Sequence, residues 1–417
     1  MTLKSYKFKI IPNTAQAELL FKHFGHNRFV WNWALGLKTR YYRRFGQGLS
    51  KRRIQDQLVK KKKREKYAWL TQVNSQSLLA TLDNLDKAYS TFFKGCAKFP
   101  RFKSKKSNWH SYQNPQHTDI NFETNQVKLP KLGLVKAKLH REFSGKIKTS
   151  TVKCSPSGKY TISILVDDGL NLPDKTTIEP AFSLGIDLGI KNFAICSDGE
   201  VFENKRHLNQ WLKKLNQQQR VFSRKKKNSI SRAKQRIRVA KLHKKVSNVR
   251  EDYCHFVSNK VVSENQATTL FIEDLHIKGL IRNRKLSRHI SDVAWGKFLQ
   301  QLEYKCDWNG KNLIKIGRFM PSSKTCSCCS EIKHNLTLSD RVFECSYCGT
   351  VIDRDLNAAI NIRDFGLKQE LESVGTTGAV KCSPVSILVQ ASGIAKGHSL
   401  IDFDESAEAP PRAALAV

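Results

Sequence analysis

The chain has 417 residues, of which 40% are hydrophobic, and this is enough apolar material for two or three folded domains. Its 73 Lys and Arg residues outnumber 36 Asp and Glu residues and give a formal net charge of +37. This surplus favours a partner rich in phosphate, a nucleic acid, although a ribosomal or architectural protein would carry the same charge. No apolar run approaches the ~18 residues that a membrane span needs, so we expect no membrane partner.

The N-terminal residues MTLKSYKFKIIP lack the apolar core of a signal peptide. We therefore expect a cytoplasmic, nucleoid-associated protein. Because that compartment is reducing, the 11 cysteines are interpreted as thiols or metal ligands, not as a disulfide framework.

The first 180 residues are predicted to combine a β-rich domain with a helical insertion. Alternation of Tyr6, Phe8 and Ile10 predicts a short strand, and helical spacing of apolar residues then follows. Further on the period returns to two, with a hairpin in TVKCSPSGKYTISILV. We expect residues 1–12 and 111–180 to form one β domain, and residues 13–110 to be inserted in it.

Three basic stretches are candidate nucleic-acid contacts. KKKKREK is either a phosphate contact or an ordinary solvated run. KFPRFKSKKSNWHSY interleaves aromatic rings with cations, which allows bases to stack where phosphates are neutralised, and RKKKN lies in a predicted basic helix pair. The candidates are Lys60, Lys61, Lys62, Lys63, Arg64, Arg101, Lys103, Lys105, Lys106, Arg224, Lys225, Lys226 and Lys227.

A second domain begins with FSLGIDLGIKNFAICSDGE, which predicts three strands in a meander. A long helix pair, a strand, an amphipathic helix and another strand follow. This is the order of an RNase H-like α/β domain, expected over residues 181–320 and 350–368. Residues 369–417 lack periodic apolar positions and are expected to form a disordered tail.

Three acids lie at the ends of predicted elements in this domain. Asp187 is in an apolar strand, Glu273 ends TTLFIEDL, and Asp355 begins a helix in DRDLNAAINI. A carboxylate in apolar surroundings is costly without a cation, and divalent ions, typically two Mg²⁺, would neutralise three acids and serve attack on a phosphodiester. Asp198 and Asp274 are interpreted as turn or solvated residues.

The most specific local motif is C-x2-C-x15-C-x2-C, formed by Cys326, Cys329, Cys345 and Cys348. Two knuckles at this separation let four thiolates surround zinc. Because four protein ligands leave no position for water, we expect a structural Zn²⁺. Cys328 lies inside the first knuckle and offers an alternative register.

A phosphotransferase is the alternative within the same fold. GIDLG also resembles the first phosphate loop of the actin and sugar-kinase ATPases, but the second glycine-rich loop of those proteins is missing here. The tripeptide that begins at Asp364 imitates a kinase motif without its partner motifs, so we interpret it as chance.

Seven motifs together resemble the TnpB family, the transposon-encoded RNA-guided nucleases related to type V CRISPR effectors, and they occur in the family's order over about residues 1–366. They are YKFKIIPNTAQAELLFKHFGHNRFVWNWAL, FPRFKSKK, GIDLGIKNFAICSDGE, FIEDL, SSKTCSCC, LSDRVFECSYCG and DRDLNAAINI. The resemblance implies that Asp187, Glu273 and Asp355 are a RuvC-type catalytic triad. Asp355 is preferred because the family acid precedes an x-N-A-A helix start, and Asp353 stays an alternative.

The resemblance also implies the domain plan. The β domain becomes a barrel-like wedge domain, and the helical insertion becomes a recognition domain. The cysteines belong to a zinc ribbon, a target nucleic-acid-binding insert at residues 321–349.

By the same resemblance, the chain is an RNA-guided DNA endonuclease of a transposable element, working as a monomeric ribonucleoprotein with guide RNA and double-stranded target DNA. The guide reads sequence, and the protein reads backbone shape and a short flanking motif. Asn74, Ser75 and Gln76 are candidates for reading that motif, since Gln can bond adenine bidentately. Arg318 and Arg354 are candidates for stabilising phosphate charge.

Two other functions stay open at this point. A DNA-strand-transferring transposase also uses acidic triads, but the knuckles before the third acid argue against it. A transposase-associated regulator that binds nucleic acid without cleaving is disfavoured by the intact acids.

Overall fold

The computed structural model describes residues 2–105, 110–337 and 339–373. The predicted contact Lys106 and the predicted tail from residue 374 onward lie outside these ranges. Within them, none of the helices combines the length and apolar character that crossing a membrane requires.

One seven-stranded sheet joins the N-terminal strand to the segment that follows the helical insertion, in the order β2-β6-β7-β1-β5-β4-β3. Phe8 and Ile10 lie on one face of the first strand and are buried, as their alternation in the sequence predicts. Among the described residues β2 and β3 are its free edges, so the expected barrel-like closure is not seen. The strands are β1 (Leu3–Ile11), β2 (His110–Asn114), β3 (Asp119–Asn121), β4 (Gln126–Leu129), β5 (Gly133–Lys138), β6 (Lys146–Cys154) and β7 (Tyr160–Asp167).

The insertion is a helical layer with its own apolar core. Asn13 starts the first helix with a reciprocal capping box, in which its side chain accepts from the Gln16 amide while the Gln16 side chain accepts from the Asn13 amide. Val30, Leu70 and Leu82 are among the buried residues that hold the layer together. The helices are α1 (Thr14–Phe45), α2 (Lys51–Lys62) and α3 (Ser75–Phe93), with a 3-10 segment at Glu65–Gln72.

The second sheet has five strands in the order β10-β9-β8-β11-β12 and follows the predicted RNase H-like order. Its first three strands form an antiparallel meander, whereas β8, β11 and β12 run parallel. The strands are β8 (Ser183–Asp187), β9 (Asn192–Cys196), β10 (Val201–Glu203), β11 (Thr269–Glu273) and β12 (Asn312–Ile316). The helices are α4 (His207–Arg224), α5 (Ile230–Asn259), α6 (Ile277–Leu280), α7 (Ser287–Val293) and α8 (Trp295–Trp308).

A small hairpin of β13 (Val342–Glu344) and β14 (Val351–Asp353) leads directly into α9 (Arg354–Ser373). The helix continues past residue 368, the predicted end of the domain. Ile362 and Leu367 are buried against Phe271 of the second sheet, and this apolar contact holds the helix on the sheet.

Two glycines let α9 lie directly on the sheet. A β-carbon at Gly185 of β8 would overlap the backbone at Ala359 and Arg363, and one at Gly366 would overlap the Phe271 ring. Gly366 is the glycine of the apparent kinase tripeptide, so close packing accounts for it. The helix that begins with Asp355 is therefore seated on the strand that ends with Asp187.

We expect Gly185→Ala to lower the free energy of unfolding by about 1–3 kcal/mol, the usual cost of overpacking, because the added methyl group must push α9 off β8. Gly48→Ala is the matched control, since nothing lies within 4 Å of a β-carbon there. Denaturant unfolding of both variants measures the difference. Equal stability of the two would contradict the close packing.

Candidate functional site

Two of the predicted acids lie at the same end of the sheet. Ile186 of β8 is opposite Ile272 of the parallel strand β11, so Asp187 and Glu273, the next residue of each strand, end neighbouring strands. Burial and the charges of Glu273 and Asp355 raise the pKa of Asp187 to about 7. Arg354 acts in the opposite direction on that pKa. The three acids are therefore close enough for their charges to interact.

Asp355 reaches this site from the first turn of α9. The Arg354 guanidinium donates to Asp355 Oδ1 from Nε at 3.1 Å and from Nη2 at 2.9 Å. Asp353 has a different task, because its exposed carboxylate accepts from the amides of Asp355 and Leu356 and so caps the helix. This arrangement favours Asp355 over Asp353 as the third acid.

The ligand atoms of Asp187, Glu273 and Asp355 do not all lie within 4.8 Å of one another. Among the described residues, the only group of three or more His, Cys, Asp or Glu with ligand atoms all within 4.8 Å is the set of four cysteines.

The four predicted cysteines form that compact cluster and are consistent with structural zinc. Cys326 Sγ lies 3.6 Å from Cys348 Sγ, and Cys329 Sγ lies 3.5 Å from Cys345 Sγ. Zn–S bonds of about 2.3 Å in a tetrahedron place sulfurs about 3.8 Å apart, so the cluster fits the ion with little change. Cys328 is exposed and outside the cluster.

Three residues that the sequence reasoning missed link this cluster to the acids. Ser322 Oγ donates to Glu273 Oε1 at 2.6 Å. Asn357 and Asn361, one turn apart on α9, both donate to the carbonyl oxygen of Thr325 in the first knuckle. The spacing N-x-x-x-N within DRDLNAAINI, on one face of a helix, is the signal that could have found the two asparagines.

The predicted basic contacts are spread over three regions of the surface. Lys61 Nζ lies 3.7 Å from the centre of the Tyr67 ring, and Lys103 Nζ lies 3.9 Å from that of Trp31, so these two cations are already stacked. Of the rest, Lys62 and Lys225 are partly buried, and the exposed residues are Lys60, Lys63, Arg64, Arg101, Lys105, Arg224, Lys226 and Lys227. Lys62 and Lys225 donate to serine hydroxyls.

The three candidates for reading a flanking motif differ in how exposed they are. The Asn74 side chain is buried, accepts from the Gln76 amide as the cap of α3, and donates to Asn114 Oδ1 at 3.2 Å. Its amide group is therefore hydrogen-bonded inside the protein. Ser75 is exposed and Gln76 is half-buried.

Arg318 lies beside the acids but is paired. Its Nη2 lies 2.5 Å from Asp274 Oδ2, and its Nε donates to the Asp274 carbonyl oxygen. Asp274, interpreted from the sequence as a solvated residue, thus holds this arginine next to Glu273.

A polar groove between α1, α3 and β2 was not predicted. One part has a volume of about 610 Å³ and is lined by Arg28, Asn84, Gln113 and Phe102, and the adjoining part adds Arg40. Asn84 donates to Gln113 Oε1 at 3.1 Å, and the Phe102 ring is 64% exposed. Amides, cations and an open ring side by side suit a groove that receives nucleic acid.

Three family profiles match the chain. Residues 295–362 match the Cas12f1-like TNB domain, residues 163–284 match the IS605 OrfB family described as "Probable transposase", and residues 1–47 match a helix-turn-helix domain of the same family. In the structure the last range contains a strand and one long helix, β1 and α1, so its name does not describe its shape.

Two bacterial relatives named as RNA-guided DNA endonucleases align with most of the chain. The one from Streptomyces pristinaespiralis is 35% identical over 366 residues, covering 87% of this chain and 89% of its own. InsQ from Escherichia coli K12 is 32% identical and covers 87% of this chain and 92% of its own. The TnpB-like protein L79 of Acanthamoeba polyphaga mimivirus is 28% identical over 45% of this chain and 38% of its own.

Solved structures align more distantly. A complex of Cas12f1 with sgRNA and target DNA aligns at 16% identity over 87% of this chain and 99% of the other, with a TM-score of 0.36. A CRISPR-Cas12f ternary complex aligns at 15% identity over 83% of this chain and 81% of the other, with a TM-score of 0.37. Scores of this size carry no argument about activity.

We expect Cys345→Ser to lose bound zinc and to lower the soluble yield, because metal binding supplies folding free energy to such a module. Cys328→Ser, which changes an exposed thiol outside the cluster, should keep both. Metal analysis of the purified variants by mass spectrometry decides this. Zinc absent from the unchanged protein would refute the assignment of the cluster.

Proposed function

Because this chain belongs to the TnpB family of IS605-type RNA-guided DNA endonucleases, we propose that it binds a guide RNA from its transposable element and cleaves complementary double-stranded DNA. The cut would lie next to a short flanking motif, with one copy of the chain in each ribonucleoprotein. The observation that carries the proposal is the electrostatic coupling of Asp187 with Glu273 and Asp355 at the ends of β8, β11 and the start of α9.

The acids fit divalent metal ions in their chemistry. The pKa of Asp187 is raised to about 7 by burial and by two neighbouring carboxylates, which Arg354 offsets only in part, so a cation would supply the missing counter-charge. Asp187, Glu273 and Asp355 would hold Mg²⁺, two ions in the arrangement that we favour. When bound, such ions activate a water molecule and neutralise charge on the phosphodiester.

The chain's own groups prepare this site. Asp187 must give up its proton before it can bind a cation, and Arg354, which counters the two carboxylates, favours that loss. The Ser322 hydroxyl donates a hydrogen bond to the carboxylate of Glu273. Arg318 is paired with Asp274 next to Glu273, so a DNA phosphate that arrives there would compete with the Asp274 carboxylate for the guanidinium.

The basic surface and the groove fit the nucleic-acid partners. A formal net charge of +37 suits an RNA scaffold and a heteroduplex, which the protein contacts through phosphates. We place reading of the flanking motif in the groove, where Asn84 and Gln113 present amides beside Arg28, with Gln76 at the start of α3 as a further candidate.

We expect Asp187→Ala to abolish DNA cleavage and to leave RNA and target binding unchanged, because the residue belongs to the metal site and not to the basic surface. Asp307→Asn is the control, since that acid pairs with Lys175 away from the site and should cut normally. Cleavage assays and sequencing of the RNA that copurifies with each protein measure both properties.

One discrete structured RNA supports a guided nuclease, whereas unselected RNA would indicate a general phosphate binder. Normal cutting by Asp187→Ala would overturn the metal-site assignment.

Divalent-ion binding should depend on pH. The folded pKa of Asp187 is about 7, so below that pH a proton occupies the carboxyl and a cation must displace it. Apparent affinity for Mg²⁺ or Mn²⁺ should therefore rise from about pH 6 to about pH 8 and then level off, with protons released on binding. Calorimetric titration in buffers of different ionisation enthalpy measures this, and Asp187→Asn should flatten the dependence. A flat profile for the unchanged protein would contradict the raised pKa.

A further inference from the structure

We infer that the first zinc knuckle, taken with the residues that lead into it from Ser322, positions the acid site. Within it, Ser322 is the residue that orients Glu273. The inference rests on the proposed function, because Glu273 is one of the acids assigned there. It assigns a task to the zinc module inside the cleavage site, separate from any contact that the module makes with nucleic acid.

The first step of the argument is the contact itself. Ser322 is 5% exposed, and its hydroxyl donates to Glu273 Oε1 at 2.6 Å, a short bond of the kind that a charged acceptor forms. Glu273 ends a strand and has a flexible side chain. A buried donor on one oxygen restricts the rotation of that carboxylate and leaves its other oxygen for a cation.

The second step is that Ser322 is itself held in place by α9. Asn361 Nδ2 donates to the Ser322 carbonyl oxygen at 2.7 Å and to that of Thr325 at 2.6 Å. Asn361 is 3% exposed, so these bonds form where water does not compete. The Ser322 hydroxyl is therefore fixed relative to α9, the helix that carries Asp355 in its first turn.

The third step connects the same helix to the cysteine cluster. Asn357 Nδ2 donates to the Thr325 carbonyl oxygen at 2.7 Å, and Asn357 Oδ1 accepts from the Ser327 amide at 3.0 Å. Thr325 and Ser327 flank Cys326, a member of the cluster. Hydrogen bonds thus join the two residues that flank Cys326 to Asn357, and Thr325 and Ser322 to Asn361, while the Ser322 hydroxyl reaches Glu273.

This arrangement differs from ordinary attachment of a small domain. The hydrogen bonds of the two asparagines to backbone groups of the knuckle would be enough to attach the knuckle to α9. The Ser322 hydroxyl instead ends on a carboxylate of the acid site. Removing it should therefore change metal binding and the cleavage step while the knuckle stays folded.

The test compares Ser322→Ala and Ser322→Thr with Ser323→Ala, a neighbouring serine that takes no part in these contacts. Each variant is purified as the full-length ribonucleoprotein. Zinc content, copurified RNA, Mn²⁺ affinity by electron paramagnetic resonance, and the single-turnover cutting rate are measured.

We expect Ser322→Ala to keep its zinc and RNA, to bind Mn²⁺ several-fold more weakly and to cut about ten- to a hundred-fold more slowly, since small misplacements of a reacting group have effects of that size. Ser322→Thr keeps a hydroxyl and should recover most of both losses. Ser323→Ala should match the unchanged protein.

Unchanged Mn²⁺ affinity and cutting rate in Ser322→Ala would overturn the inference, and so would loss of its zinc, which would make Ser322 a structural residue of the knuckle. Neither result would touch the proposed function, which fails only if the unchanged ribonucleoprotein cuts no complementary DNA. In that case Mn²⁺ affinity still tests the role of Ser322.

Discussion

The site depends on holding three like charges near one another. Asp187 and Glu273 end parallel strands, and α9 brings Asp355 to them because Gly185 removes the side chain that would keep the helix away. The repulsion between these charges contributes to the raised pKa of Asp187, which burial and the two neighbouring acids bring to about 7. Burial of Ile362 and Leu367 on the sheet opposes this repulsion and keeps the helix in place.

The zinc module is part of this arrangement through its position in the chain. It lies between β12 and α9, so its folding determines where the last acid enters the site. Asn357 and Asn361 join the knuckle to α9 over one helical turn, and Asp353 caps that helix from the end of the module's hairpin. The cysteine cluster and the three acids are thus connected by hydrogen bonds, although no side chain belongs to both sets.

Local patterns in the sequence predicted the elements and the chemistry of the site. Alternation and apolar runs located the strands that end in Asp187 and Glu273, and the knuckle spacing located the cysteines, because each depends on residues close in the chain. Long-range partners could not be predicted in this way. Asn74 is hydrogen-bonded to Asn114, Arg318 is paired with Asp274, and Glu273 accepts from Ser322. Each of these pairs forms only when distant segments of the chain meet. The open edges of the first sheet have the same origin, since strand order is set by pairing across the whole domain.

Locating the divalent ions in crystals of the ribonucleoprotein tests the central claim most directly. Anomalous scattering collected with Mn²⁺ should show manganese among the carboxylates of Asp187, Glu273 and Asp355, and zinc within the four-cysteine cluster. Manganese absent from those acids, with Arg354 alone balancing their charge, would contradict the account.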